Sequence, residues 1–290
     1  MNECLHDTFI LNNKIKKRKD FSESYLNRGK SFYEVLRYID GYYLFLEDHL
    51  ERITNSIRLF NIDYSIDYNV ITDSLSKLIL NNRVKYGNVK LVINFNESLK
   101  SRPNILAYFT KYKYPGILQY KYGIDVSLLY MERKMPNAKF VNNDVLAAVK
   151  SELLGKGFYE TLLVDKEGYI TEGSKSNIFF LNNSEIYTPP INKVLPGITR
   201  KYVFKICNML NINIIEKDIS INDLRKYTSV FLSGTSAKIL PVKRINDIFF
   251  KINNKLLTRI IESYEHIIIE YISRRKKNKI EILNSCLSLM

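Results

Sequence analysis

A chain of 290 residues with 46% hydrophobic and 26% charged side chains has the composition of an ordinary globular protein, not a disordered, collagenous or membrane one. Its 21 Tyr and 15 Phe, with no Trp, supply bulky filler for two domains or one large one. The formal charge of +14, from 44 basic and 30 acidic residues, raises the question of nucleic acid. Ten of those basic residues sit in two runs, Lys14, Lys16, Lys17, Arg18, Lys19 and Arg274, Arg275, Lys276, Lys277, Lys279. Such runs are expected as solvated tails or loop edges, and no helix-turn-helix, zinc-finger or RNA-binding aromatic signature accompanies them. Nucleic acid is therefore not the expected partner.

Cys4, Cys207 and Cys286 are odd in number and far apart, and His6, His49 and His266 lie on separate segments. Neither a disulfide framework nor a zinc-ligand cluster is expected, and Cys-His nucleophilic catalysis loses ground with them. Apolar stretches are broken well short of the ~20 residues a membrane helix needs, and no signal peptide is read, so the expectation is a cytoplasmic protein.

In chain order, Ser31 to Leu46 reads as two strands around Asp40-Gly41, because both central positions of a type I′ turn need positive φ. Glu47 and Asp48 then open a helix carrying His49, Leu50, Ile53, Ile57 and Leu59 at helical spacing, from which Arg52 projects. A helix at 70–80 and a strand at 89–95 follow. The tyrosine-rich run 113–125, with Pro115, Gly116 and Gly123, reads as a hinge. Beyond it come a strand at 126–130 and a helix at 142–154. Strands at 160–165, 169–172, 177–181 and 185–188, separated by turns at 166–168 and 182–184, are expected to form a meander. Leu195-Pro196-Gly197 precedes a helix at 198–210; strands at 212–216 and 230–233 and a closing helix at 255–272 complete the reading. Strands and helices alternate in both halves, which predicts a mixed α/β or α+β fold: a smaller domain at 1–114, a linker at 115–125 and a larger domain at 126–290.

Two turns could bind an anion. In Leu195-Pro196-Gly197-Ile198-Thr199-Arg200 a glycine frees the backbone where a helix starts, so the amides of Ile198 and Thr199 can point at phosphate. Ser233-Gly234-Thr235-Ser236 follows an apolar strand and offers small residues, free amides and hydroxyls. Either alone is compatible with plain loop punctuation. The order of features carries more: Tyr33-Glu34-Val35-Leu36-Arg37, His49 with Arg52, Lys139 after Pro136-Asn137-Ala138, Glu172 in Thr171-Glu172-Gly173-Ser174-Lys175-Ser176-Asn177, then the two turns. These blocks, over roughly 25–250, resemble the class IV aminotransferases, the pyridoxal-phosphate enzymes of fold type IV. That family includes branched-chain aminotransferases, D-amino-acid aminotransferases and aminodeoxychorismate lyases.

The resemblance implies the two-domain D-amino-acid-aminotransferase-like fold and pyridoxal 5′-phosphate as cofactor. It assigns Lys139 as the Schiff-base lysine, activated in a partly dehydrated pocket, and Glu172 as the carboxylate facing the pyridine nitrogen. It gives the phosphate to Arg52, the amides of Ile198 and Thr199, and Thr235. Asn177 is expected behind Glu172. Tyr33, Glu34, Ser236 and Asn143 are placed toward substrate, Asn143 standing where branched-chain enzymes carry a Tyr four places after the lysine. Asn94 stands where D-amino-acid enzymes carry an Arg. No metal is expected. The leading expectation is a transaminase moving an amino group between an amino acid, branched-chain among the candidates, and a 2-oxo acid, in a homodimer. The alternatives are aminodeoxychorismate lyase, releasing pyruvate, and a non-catalytic basic binding protein on the same scaffold.

Overall fold

The computed structural model describes residues 3–96, 102–182 and 185–287, with side chains as far as 277. The first half forms β1 (Thr8–Leu11), β2 (Lys14–Lys17), α1 (Ser24–Asn27), β3 (Lys30–Ile39), β4 (Tyr42–Tyr43), α2 (Leu46–Arg58), α3 (Tyr68–Asn82), β5 (Tyr86–Phe95) and β6 (Asn104–Thr110). After α4 (Ile117–Tyr122) come β7 (Ile124–Tyr130), α5 (Asn143–Leu153), β8 (Glu160–Val164), β9 (Tyr169–Gly173), β10 (Asn177–Asn182) and β11 (Glu185–Thr188). The chain closes with α6 (Ile198–Met209), β12 (Asn213–Glu216), β13 (Ile219–Ser220), β14 (Ser229–Gly234), β15 (Lys238–Ile245), β16 (Ile248–Phe249) and α7 (Lys255–Leu287).

The strands make two sheets. An antiparallel sheet runs β2-β1-β6-β5-β3-β4, and a mixed sheet runs β12-β11-β10-β14-β15-β7-β8-β9-β13 with β16 on β15. In the first, β3 lies between β5 and the short β4, and α2 and α3 cover one face with Ile53, Ile57, Ile71, Leu75 and Leu78. Asp40 and Gly41 have φ of 47° and 96°, the left-handed pair that the Asp-Gly turn requires. In the second, Phe179 and Phe231 stack at 4.8 Å beneath α6 and α7, and Ile178, Phe180, Val230 and Leu232 pack the opposite face.

Several sequence expectations need correction. The strands at 160–188 are not a meander: β8–β9 and β10–β11 are separate antiparallel hairpins with β14, β15 and β7 between them. The turn between the hairpins is held against β8 by the buried Glu160, whose Oε1 accepts from the Lys175 amide at 2.7 Å and the Ser176 hydroxyl at 3.1 Å. Positions 183 and 184 of the expected 182–184 turn lie outside the described residues. The stretch expected as linker holds α4 and the first two residues of β7. Strands β1, β2, β6 and β15 were not expected; Pro241 argues against a strand, yet β7 engages β15 only from Val242 onward. The closing helix continues past Ile272 and includes the basic run at 274–279, whereas Lys14, Lys16 and Lys17 form an exposed edge strand. Among the described residues no helix is long and apolar enough to cross a membrane, and no group of His, Cys, Asp and Glu could hold a metal ion.

Candidate active site

On β3 the two-residue period sends Tyr33, Val35 and Arg37 to one face and Glu34 to the other. Glu34 is wholly buried and takes Arg52 in a fork, Nε donating to Oε1 at 2.7 Å and Nη2 to Oε2 at 2.5 Å, while His49 Nδ1 lies 2.7 Å from Oε2. Burial alone would raise the Glu34 pKa; Arg52 first and His49 second reverse this and hold it at about 2. Burial also lowers the His49 pKa, against the pull of Glu34. Glu34 therefore does not face substrate as expected; strand alternation turns it toward α2. Arg52 and His49 reach it from consecutive helical turns.

Lys139 lies in the connection between β7 and α5, and its backbone is stitched to α2 and β3 of the first half. Its amide donates to Ser56 Oγ at 3.0 Å, and its carbonyl accepts from the Tyr33 amide at 3.1 Å. Asn137 fastens the same connection to the loop before α6 by donating to the Ile191 and Val194 carbonyls, both at 2.7 Å. The Lys139 ammonium stands 4.7 Å from the Tyr33 ring centroid and is the largest cause of a lowered Tyr33 pKa.

Glu172, near the end of β9, is buried. Its Oε2 accepts from the Leu195 amide at 2.9 Å. Arg133 Nε is 2.8 Å from Oε1 but off the line of a hydrogen bond, so Oε1 is a buried acceptor with an ion-pair partner and no donor. Burial raises the Glu172 pKa, opposed by Arg133, the Leu195 amide and Lys139. Asn177 stands behind this arrangement, donating to the Leu195 carbonyl at 2.9 Å. Gly197 is required by that amide rather than by its own φ, because a Cβ at 197 would collide with Asn177 Oδ1.

The third component is a small cavity lined by Arg37, His49, Ile198, Thr199, Thr235 and Tyr264, among others. Gly197 caps α6 without a side chain, leaving the first-turn amides to point at whatever the cavity holds. Thr199 Oγ1 is 3.3 Å from the Tyr264 hydroxyl. Ser236 closes the sheet-to-sheet seam, its hydroxyl accepting from Asn88 at 2.7 Å and its carbonyl from Arg37 at 3.3 Å.

Of the sequence-assigned residues, Ile198, Thr199 and Thr235 meet at this cavity, Tyr33 meets Lys139, and Glu172 feels the Lys139 charge. Arg52 stands behind the cavity, its Nη1 donating to the Pro196 carbonyl at 3.2 Å, and does not line it. Asn143 is the first residue of α5, after the N-cap Asn142, and among the described residues its side chain makes no hydrogen bond to the site. Asn94 is buried on Ser31 Oγ and the Arg28 carbonyl. Sequence reasoning missed Arg37, Arg133 and the His49–Glu34 contact. A signal for Arg37 was present, since it shares the Tyr33 face of β3 by period two.

A two-sheet α/β protein with a lysine, an under-bonded buried carboxylate and a helix-start anion cup along one seam has the parts of a site for a phosphorylated aldehyde cofactor. The family profile of class IV amino-transferases matches residues 31–245, and the chain belongs to that family of pyridoxal-phosphate-dependent enzymes. It is 28% identical over 242 residues to the branched-chain-amino-acid aminotransferase of Escherichia coli, covering 77% of this chain and 78% of the relative. It is 24% identical over 249 residues to the D-alanine aminotransferase of Bacillus licheniformis, covering 82% and 88%. The crystal structure of the E. coli branched-chain enzyme superposes with a TM-score of 0.80 at 22% identity, over 91% of this chain and 95% of that one.

Proposed function

We propose that this chain is a pyridoxal-phosphate-dependent transaminase exchanging an amino group between a branched-chain amino acid and a 2-oxo acid, and that it works as a homodimer. The observation that supports the reading is the buried Glu172 carboxylate, whose Oε1 faces Arg133 without a well-aligned donor and whose pKa the Lys139 charge pulls down against burial. A protonated pyridine nitrogen would satisfy that oxygen. The cup of Ile198 and Thr199 amides with Thr235 suits a phosphate, with Arg52 assigned to the same group by family resemblance. When bound, pyridoxal phosphate supplies a sink for the electrons left as a substrate Cα–H bond breaks.

The chain's own residues do the rest. Lys139 Nζ would hold the cofactor at its aldehyde carbon and, when free, would take up the proton from the substrate Cα. Glu172 would hold the proton on the ring nitrogen; Arg133 pairs with that carboxylate, and Asn177 fixes Leu195, whose amide bonds it. Tyr33 presents its ring beside the amine, and Val35 shares that face of β3, an aromatic and apolar strand face that accords with the branched-chain substrates named for relatives.

The test is to load the purified protein with pyridoxal phosphate, add L-leucine, L-valine, D-alanine or aminodeoxychorismate, and follow near-visible absorption and pyruvate. Bleaching by the branched-chain donors, reversed by a 2-oxo acid, is expected. A protein that takes up no cofactor ends the reading; pyruvate from aminodeoxychorismate without transamination replaces it with the lyase. Sedimentation of the loaded protein as a monomer would remove the dimer.

A further inference from the structure

We infer that Glu160 is a positioning residue for Glu172: it fixes the 174–176 turn, and the turn keeps Arg133 from closing on the carboxylate oxygen that the cofactor's ring nitrogen needs. The inference rests on the reading of Glu172 as the partner of that nitrogen. The molecule holds its own comparison. Arg52 meets Glu34 through Nε and Nη2, the two nitrogens side by side on one edge of the guanidinium, and closes a fork. Arg133 brings the same edge to Glu172, and no fork forms. Its Nε is 2.8 Å from Oε1 but off the line of a hydrogen bond, because Nη2 is committed to the Ser174 carbonyl at 2.7 Å. The other oxygen of Glu172 is taken by the Leu195 amide. Oε1 therefore stays open only while Ser174 stays in place.

Ser174 is placed from β8. Glu160, buried at the start of that strand, gathers three donors on Oε1: the Lys175 amide at 2.7 Å, the Ser176 hydroxyl at 3.1 Å and the Ser174 hydroxyl at 3.3 Å. Gly173 permits the approach, since a Cβ there would collide with Glu160 Oε1 and Ser176 Oγ. Backbone bonds from the Gly173 amide to the Ser176 carbonyl at 2.8 Å and from the Ser174 amide to the Thr161 carbonyl at 2.9 Å close the turn. The bonds to the carboxylate are charge-assisted and hold it more strongly. Burial pushes the Glu160 pKa up, opposed first by the Lys175 amide and then by the Ser176 hydroxyl, so carboxylate and turn stabilise each other.

The test uses wild type, Glu160→Ala and Glu160→Gln, each alone and combined with Arg133→Met. Trypsin digestion of the apoproteins, read by mass spectrometry at the exposed Lys175, reports on the turn without cofactor. Loss of the carboxylate is expected to speed cleavage there roughly tenfold or more. After loading with pyridoxal phosphate, single-turnover Cα deprotonation is expected to slow roughly 10- to 100-fold in Glu160→Ala, with cofactor affinity near wild type. That slowing is expected to vanish beside Arg133→Met, where no fork can form. Glu160→Gln, which leaves a neutral oxygen at the same place, is expected to show part of each effect, and it decides the test by itself if Glu160→Ala does not fold. The inference is overturned if the Glu160 variants are cut like wild type, react like wild type, or lose the same rate with and without Arg133, as a strut that merely supports the fold would. Wild-type protein that takes up no pyridoxal phosphate brings down the cofactor reading instead, and the cleavage at Lys175 then still reports whether Glu160 holds the turn.

Discussion

Glu34 and Arg52 form a two-point ion pair, 2.7 and 2.5 Å, around a carboxylate that no solvent reaches. Opening such a pair leaves an uncompensated buried charge, which costs about 3–5 kcal/mol, more than its formation contributes relative to an apolar pair. Glu34→Gln is expected to lower unfolding free energy by about that amount in urea titrations, with Arg52 left unpaired. A variant as stable as wild type would show that the fork carries no stability.

The same pair fixes an acid limit. The Glu34 pKa is held at about 2 in the fold, below its ordinary value of 4.5, so its contribution is complete above 4.5 and disappears as pH falls through 2. The difference is worth about 3 kcal/mol. Glu172, whose pKa burial raises, works in the opposite sense and gives no protection against alkali. Unfolding free energy measured from pH 5 to 2 should fall in wild type, with that part of the slope missing from Glu34→Gln.

Lys139 and Glu172 should fail differently. Lys139→Ala removes the amine that holds the cofactor carbonyl and carries the proton, so the colour of the bound aldehyde is lost and turnover falls by at least 10²-fold. Glu172→Gln should still take up the cofactor but slow Cα deprotonation, read as a reduced single-turnover rate with near-normal affinity. Equal loss of affinity and rate at Glu172 would place it in binding rather than in ring protonation.

Gly197→Ala places a methyl group on Asn177 Oδ1. The amide must move off the Leu195 carbonyl, and the peptide that holds Glu172 moves with it. A cost of about 1–3 kcal/mol is expected, as for other overpacked sites. Because the clash is with one side chain, Asn177→Ala in the Gly197→Ala background should recover part of it; strict additivity in a double-mutant cycle would locate the strain elsewhere.

The local elements were legible because their signals are local. Asp40-Gly41 demands left-handed φ, the apolar spacing from His49 to Ile57 is helical, and Pro196-Gly197 ends a loop at a helix start. The order of strands in the second sheet was not, since β8 and β10 are both buried apolar runs and nothing in either states its neighbour. Contacts that hold the arrangement, such as Glu160 on the 174–176 turn, join residues 14 to 16 positions apart and have no local signature. Family resemblance placed Lys139, Glu172 and the α6 turn along one seam, while the fate of Arg52 depended on a partner 18 positions upstream that the sequence offered as a substrate-facing residue. Arg133 was passed over because a basic residue in a charged loop has no pattern to distinguish it from a solvated one.

Lys139 is tied by its own peptide to Ser56 of α2 and Tyr33 of the first sheet, whereas Glu172 grows from a strand of the second. The spacing between amine and acid is thus set by how the halves of the molecule are bolted together, through pairs such as Asn88 with Ser236 and Lys201 with Asp48. Loosening a bolt remote from either group would detune the pair without altering a single reacting atom.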